Sequence, residues 1–307
     1  MKSNENNHLL DIASLPDKAL PGLLSRAEEY ARIIESGDRI DPVLSGKVIL
    51  TYFAESSTRT RVSFTMAAHR LGASVIHWDP KTSALTKNES FTDTIQTLDA
   101  TGPDAIIIRH GEYNAPHFVA THVSCPVINA GDSWRAHPSQ ALLDALTIKR
   151  TFGKFEGVRV ALVGDIAHSR VANSDIALFE RLGMKVHVIA PKSLLPKDPV
   201  GEDVQIFDNL QDGLSGCDVV MGLRLQKERM EKSLIEDEIA YFHEFGITYD
   251  TLEYAKPGAR IMHPGPMNRG IEIAEDLPDD PDRSLILKQV ANGVPTRMAI
   301  LEWLLSS

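Results

Sequence analysis

The feature that most narrows the possible folds is an alternation. Short unbroken apolar runs, such as Val48-Ile-Leu-Thr-Tyr-Phe53, Ala105-Ile-Ile-Ile108 and Val160-Ala-Leu-Val163, are separated by stretches with helical periodicity. A strand that is apolar on both sides must be covered on both sides, and helices between successive strands supply that cover in a parallel sheet. The run from Leu15 to Ser36 has apolar residues at helical spacing and ends at Gly37. Strand 47–53, helix 58–71, strand 74–78, polar loop 79–89 and helix 90–100 follow. Strand 105–109, helix 114–122, strand 126–129, loop 130–137 and helix 138–152 complete a first half.

The stretch Lys149-Arg-Thr-Phe-Gly-Lys-Phe-Glu-Gly157 reads as a hinge, after which the pattern restarts. Strand 158–163 leads through the turn 164–169 into helix 170–182, with further strands at 186–190, 217–222 and 260–262. Residues 1–10 read as a frayed polar start and 191–204 as a surface loop. Residues 224–246 read as a charged loop with short helices. Residues 285–305 read as an amphipathic helix broken near Pro295 and packing back on the first half. The expected architecture is α/β, with two doubly wound parallel-sheet domains, 1–148 and 149–307. Open sheets of this kind bind ligands beyond the carboxyl ends of their strands, which places the active site in the cleft between the domains.

Composition limits the partners. The chain has 307 residues, a net charge of −10 and no block of Lys or Arg, which argues against nucleic acid or an anionic membrane. The polar start has no signal-peptide core, and no apolar run approaches the ~20 residues of a membrane span. Cys125 and Cys217 stand far apart, without metal-ligand spacing, and fit a reducing cytoplasm. No metal site or cofactor fingerprint is evident.

The chemistry-bearing residues gather where strands end. Strand 47–53 runs into Ala54-Glu-Ser-Ser-Thr-Arg-Thr-Arg61 and a helix start. Backbone N–H groups and the positive dipole end at such a junction, together with Arg59 and Arg61, suit a phosphate dianion. The plainer alternative is a Ser/Thr N-cap beside two solvated arginines. Arg109 ends strand 105–109 and must face a ligand or a carboxylate. His137 precedes Pro138 at a helix start, with Gln140 one turn on, so both can address one ligand. A neutral histidine there can donate to a carbonyl oxygen, because the helix N-terminus disfavours imidazolium. Arg170 and Arg224, with Gln226, end second-half strands and suit a substrate with two carboxylates, or else form surface salt bridges. Ser83 and Lys87 alone read as an ordinary polar loop. The motif G-x-G-x-x-G is missing, as are Walker A, G-x-S-x-G and H-E-x-x-H.

Ser57-Thr-Arg-Thr-Arg61 with Phe64, His137-Pro-Ser-Gln140, Arg224-Leu-Gln-Lys-Glu-Arg229 and His263-Pro-Gly-Pro-Met-Asn-Arg-Gly-Ile-Glu-Ile273 occur in this order. Together they resemble the aspartate/ornithine carbamoyltransferase family over roughly residues 8–305. The H-C-L-P and S-M-G motifs of the ornithine branch do not occur. The resemblance implies transfer of a carbamoyl group from carbamoyl phosphate to L-aspartate, a step of UMP and pyrimidine biosynthesis, with no cofactor or metal.

It further implies that Ser57, Thr58, Arg59 and Thr60 hold phosphate, while Arg109 bridges phosphate and carbonyl oxygen. Thr60, Arg109 and His137 would polarise the carbonyl. Gln140, with the backbone at Gly265 and Pro266, would hold the amide, and Arg170, Arg224 and Gln226 the aspartate carboxylates. Ser83 and the aspartate-binding Lys87 would come from a neighbouring subunit of a homotrimer, which turns an ordinary loop into a functional one. The sequence leaves open a regulatory chain or a dihydroorotase partner. It also leaves open a different amine acceptor and an idle scaffold paralogue, although retention of Arg59, Thr60, Arg109 and His137 argues against the last. Asn88, Ser139 and the bulky Trp134-Arg135 depart from the family pattern.

Overall fold

The structure, a computed structural model, describes residues 8–79, 89–196, 201–226 and 238–306. The described residues up to Leu146, with those from Ala291 onward, form one compact unit, and Thr147–Val290 form a second.

The first unit contains helix α1 (Ala19–Ser36), strand β1 (Val48–Phe53), α2 (Thr58–Arg70), β2 (Ser74–Trp78), α3 (Phe91–Ala100) and β3 (Ala105–His110). Helix α4 (Ala115–Ala120), β4 (Val127–Asp132) and the start of α5 (Pro138–Phe152) follow. The strands form a four-stranded parallel sheet in the order β2-β1-β3-β4. Strand side chains alternate between faces. Leu50, Tyr52, Ile106, Ile108 and Val127 therefore pack with Ile95 and Leu98 of α3 and Val119 of α4 on one side. Ile49, Thr51, Ile107 and Ile128, at the alternate positions, are equally buried. Burial on both faces is what the unbroken apolar runs require, and each such Leu or Ile contributes ~1.5–3 kcal/mol.

The second unit continues with β5 (Arg159–Gly164), α6 (Arg170–Arg181), β6 (Lys185–Ile189), β7 (Gln205–Phe207), α7 (Leu210–Leu214) and β8 (Val219–Leu223). Then come α8 (Glu238–Phe245), α9 (Tyr249–Leu252), β9 (Arg260–Met262) and α10 (Ile286–Leu305), which ends in the first unit. Its five parallel strands run β7-β6-β5-β8-β9. Helix α6 buries Ala172, Ile176 and Phe179 at helical spacing.

Two expectations about local structure need correction. The chain start is not frayed at residues 8–10: Leu9 donates to Val127 O, accepts from Asn129 N and is buried beside β4. Pairing with an edge strand compensates for the polar sequence. Helix α10 runs unbroken through Pro295. Burial of Met298, Ile300 and Leu301 outweighs the ~3 kcal/mol cost of an internal proline. The short strand β7 and helices α7 and α9 had no recognisable periodicity.

Candidate active site

In the first unit the carboxyl ends of β1, β3 and β4 lie side by side. Phe53 is in register with Arg109, and His110 with Asp132. Arg109 places Nε 3.4 Å from a carboxylate oxygen of Glu55 and donates from Nη1 to Ala130 O at 3.2 Å. The guanidinium is thus held across the ends of all three strands, with only 14% of its side chain exposed. Glu55 was legible only as an acidic residue before the hydroxyl run; its pairing depends on the β1–β3 register.

The segment after Glu55 enters α2. Ser57 has the extended backbone of an N-cap (φ −157°, ψ 92°), yet its side chain makes no capping hydrogen bond. Thr58 and Arg59 are exposed and Thr60 is buried. The first turn therefore offers backbone donors, a positive dipole end, hydroxyls and a guanidinium at one place.

His137 precedes α5, and its carbonyl accepts from Gln140 N at 2.9 Å and Ala141 N at 3.3 Å, as an N-cap carbonyl does. His137 and Gln140 are both nearly buried. The Ser139 hydroxyl lies 3.5 Å from His137 Nδ1 and 3.4 Å from Nη2 of Arg297 on α10. Arg297 also donates to Ser63 of α2 at 2.9 Å, so one guanidinium ties the helix after Ser57 to the helix after His137.

Trp134 and Arg135, which depart from the family pattern, have separate tasks. Arg135 donates to Asp11 at 2.6 Å and reaches Asp132 at 3.4 Å, while His117 lies 3.2 Å from the same Asp11. The hydrogen bond from His117, then those from Ser14 and Arg135, hold the Asp11 carboxyl well below its ordinary value. Trp134 is half exposed and meets the Tyr113 ring at a tilt, 5.7 Å between centroids.

In the second unit, β5 ends at Gly164, in register with Leu223 of β8. A Cβ at Gly164 would stand 2.6 Å from Leu223 O, and its φ of +126° is strained for any other residue. Glycine lets the two strand ends meet. Asp165, wholly buried, then accepts from Gln226 N at 3.2 Å through one oxygen and meets His168 Nδ1 at 2.8 Å through the other. This carboxylate joins the loop leading to Arg170 with the loop carrying Arg224 and Gln226. Ser169 caps α6 by accepting from Ala172 N at 3.1 Å, which sets Arg170 at the first helical position, largely buried. The Gly164-Asp165 pair signalled a strand end in the sequence, but its role in joining the loops did not show there.

The loop after β9 is braced by its own acid. His263 is buried, donates from its backbone N–H to Gln289 Oε1 at 2.8 Å, and has Nε2 3.5 Å from Glu272. Glu272 also accepts from Asn268 N. Gly265 donates to His263 Nδ1 at 2.9 Å, and Pro266 follows through a cis bond. Ser83, Lys87, Asn88 and Arg229 lie outside the described residues. Among the described residues no cluster of three His, Cys, Asp or Glu side chains could hold a metal ion, and no helix is long and apolar enough to cross a membrane.

Residues 7–150 match the model of the aspartate/ornithine carbamoyltransferase carbamoyl-phosphate-binding domain, and residues 156–304 match that of the Asp/Orn-binding domain. The aspartate carbamoyltransferase catalytic subunit of Rhodospirillum rubrum is 47% identical over 298 residues, covering 97% of this chain and 93% of that protein. A crystal structure of aspartate transcarbamoylase from Trypanosoma cruzi with N-(phosphonacetyl)-L-aspartic acid superposes with a TM-score of 0.88. It is 30% identical and covers 98% of this chain and 96% of that one. Ornithine carbamoyltransferase from Pyrococcus furiosus gives a TM-score of 0.89 at 26% identity, covering 100% and 99% of the two chains. The chain belongs to the aspartate/ornithine carbamoyltransferase family.

Proposed function

We propose that the chain transfers the carbamoyl group of carbamoyl phosphate to the amino group of L-aspartate, giving N-carbamoyl-L-aspartate and phosphate for pyrimidine synthesis. The observation that carries this function is the convergence in the first unit. An α2 start whose N-cap side chain leaves the first-turn donors open adjoins Arg109, while Arg297 links α2 to the start of α5, where His137 and Gln140 stand. Phosphate sits at the α2 start, held by Ser57, Thr58, Arg59 and Thr60. Arg109, Thr60 and His137 surround the carbonyl oxygen. Gln140 and the backbone at Gly265 and Pro266 take the amide.

Arg170, Arg224 and Gln226 hold the two aspartate carboxylates, with Asp165 keeping their loops together. The aspartate amine attacks the carbonyl carbon, and charge develops on the carbonyl oxygen. Preorganised donors stabilise that charge, each lowering the barrier by ~3 kcal/mol. The bond from carbon to the phosphate oxygen then breaks, and the departing phosphate takes the amine proton. Arginines offset the repulsion between two anionic substrates, and fixed orientation supplies much of the remaining rate.

The enzyme works in the cytoplasm as a homotrimer, with Ser83 and Lys87 completing a neighbour's site. Exposed Val62 and Met66 on α2 and Ile76 on the edge strand β2 support a covered surface there, since single-chain proteins seldom leave such a group in water. Colorimetric assay of carbamoyl-aspartate from carbamoyl phosphate and aspartate tests the reaction. Product with aspartate but not with ornithine is expected; preference for ornithine, or no product from a trimeric preparation, refutes it. Light scattering that finds only monomers would remove the shared-site part.

A further inference from the structure

Gln140 is placed by a residue one turn further along α5. Its Nε2 lies 3.2 Å from each carboxylate oxygen of Asp144. A carboxylate accepts hydrogen bonds and cannot donate them, so the amide must present its nitrogen to Asp144. Its Oε1 is then turned the other way, as an acceptor.

Asp144 is wholly buried, and a buried carboxylate needs a cation to remain charged. Arg297 supplies it. This guanidinium is itself buried, with 3% exposure, and donates to Ser63 Oγ at 2.9 Å, Gly293 O at 3.3 Å and Ser139 Oγ at 3.4 Å. It also lies 4.9 Å from the centroid of the Phe64 ring. Burial pushes it down to about 10 while Asp144 opposes the shift, so it is charged at neutral pH. Its Nε has no hydrogen-bond partner among the described residues. Apolar side chains of similar volume are often as stable as a buried charge pair. Packing alone therefore does not account for an arginine at this position.

We propose that Asp144 and Arg297 are positioning residues that lock the Gln140 amide with its oxygen toward the substrate. The site then selects an acyl phosphate bearing NH2 over one bearing a methyl group. The inference rests on the functional reading above. A carbamoyl nitrogen donates to Oε1, whereas an acetyl methyl leaves that acceptor buried without a partner, which is where polar sites gain discrimination.

Calorimetric titration of the whole protein with carbamoyl phosphate and with acetyl phosphate, without aspartate, tests this. In D144N either amide orientation becomes available. Its Kd for carbamoyl phosphate should rise about tenfold while that for acetyl phosphate changes less than about twofold. R297Q should shift the ratio in the same direction, and R297K, which keeps the cation, should restore it. In a Q140A background, D144N should leave the ratio unchanged. Parallel loss of both ligands, or an unchanged ratio in D144N, overturns the proposal; should D144N not fold, the R297Q and R297K pair decides by the same ratio. The titration needs no turnover, so wild-type protein that makes no carbamoyl-aspartate counts against the functional reading alone.

Discussion

The two units contain the same local device, used in opposite ways. In each, a central strand ends and a helix begins behind an extended serine: Ser57 before α2 and Ser169 before α6. The Ser169 side chain spends its acceptor on Ala172 N, closing the helix start, while the Ser57 side chain makes no capping bond. A closed cap stabilises its helix by ~1 kcal/mol. An open one leaves donors and dipole for a ligand. The first unit thus leaves backbone donors open beside Arg59, whereas the second sets Arg170 on a closed helix start and carries Arg224 on the loop after β8. A serine at the same place thus closes one helix start and leaves the other open.

The most severe way to break this comparison is to remove the guanidinium at the open turn. Arg59→Ala should lower kcat by a hundredfold or more while circular dichroism and subunit assembly stay unchanged. Near-normal turnover would refute the assignment of that turn to phosphate. Next comes the buried carboxylate joining the second unit's loops. Asp165→Ala should raise KM for aspartate by about ten- to a hundredfold, since hydrogen bonds to a buried charge contribute ~1.5–3 kcal/mol. The affinity for carbamoyl phosphate, measured alone, should hold; equal loss of both would show general damage.

The serine pair sharpens the contrast. Ser57→Ala should weaken carbamoyl phosphate binding severalfold with little change in stability, whereas Ser169→Ala should cost about 1 kcal/mol in urea unfolding. Reversal of that pattern would mean that the two caps had been assigned the wrong way round.

A smaller effect concerns the tie around Asp11. Its carboxyl is held below the ordinary 3.8, chiefly by the hydrogen bond from His117. The stability it contributes is present above that value and fades as pH falls through the depressed folded-state value. The advantage of wild type over Asp11→Asn should thus be steady at neutral pH and shrink below about pH 4. An advantage independent of pH down to acid unfolding would show that the charge plays no part.

What could be read from sequence follows from how local each cause is. The strands were legible because burial on both faces leaves continuous apolar runs, and α2 and α5 because Ser57 and Pro138 mark helix starts. Leu9 was not legible: the short Leu9-Leu10 pair after a polar stretch shows nothing until β4 is beside it. Pro295 misled for the complementary reason, since local propensity gave way to packing around α10. Among site residues, those in contiguous motifs stood out. Glu55, Asp165 and Arg297 did not, because each acts through a partner brought near by strand register or by helices distant in sequence. Asp144 left one trace, its i,i+4 spacing from Gln140.

Glu302 near the end of α10 accepts from Arg26 at 2.7 Å and from Tyr30 at 2.9 Å, both on α1. The first unit therefore needs both ends of the polypeptide, while the second is one continuous segment. During translation, at ~5–20 residues per second, the ribosome completes the second unit before the first can close. The half that holds the Ser57 turn waits, with its sheet made and its last helix missing, for about 8 seconds or more by that rate. Loss of even a short stretch from the carboxyl terminus should accordingly disable the amino-terminal unit and spare the one nearer the cut.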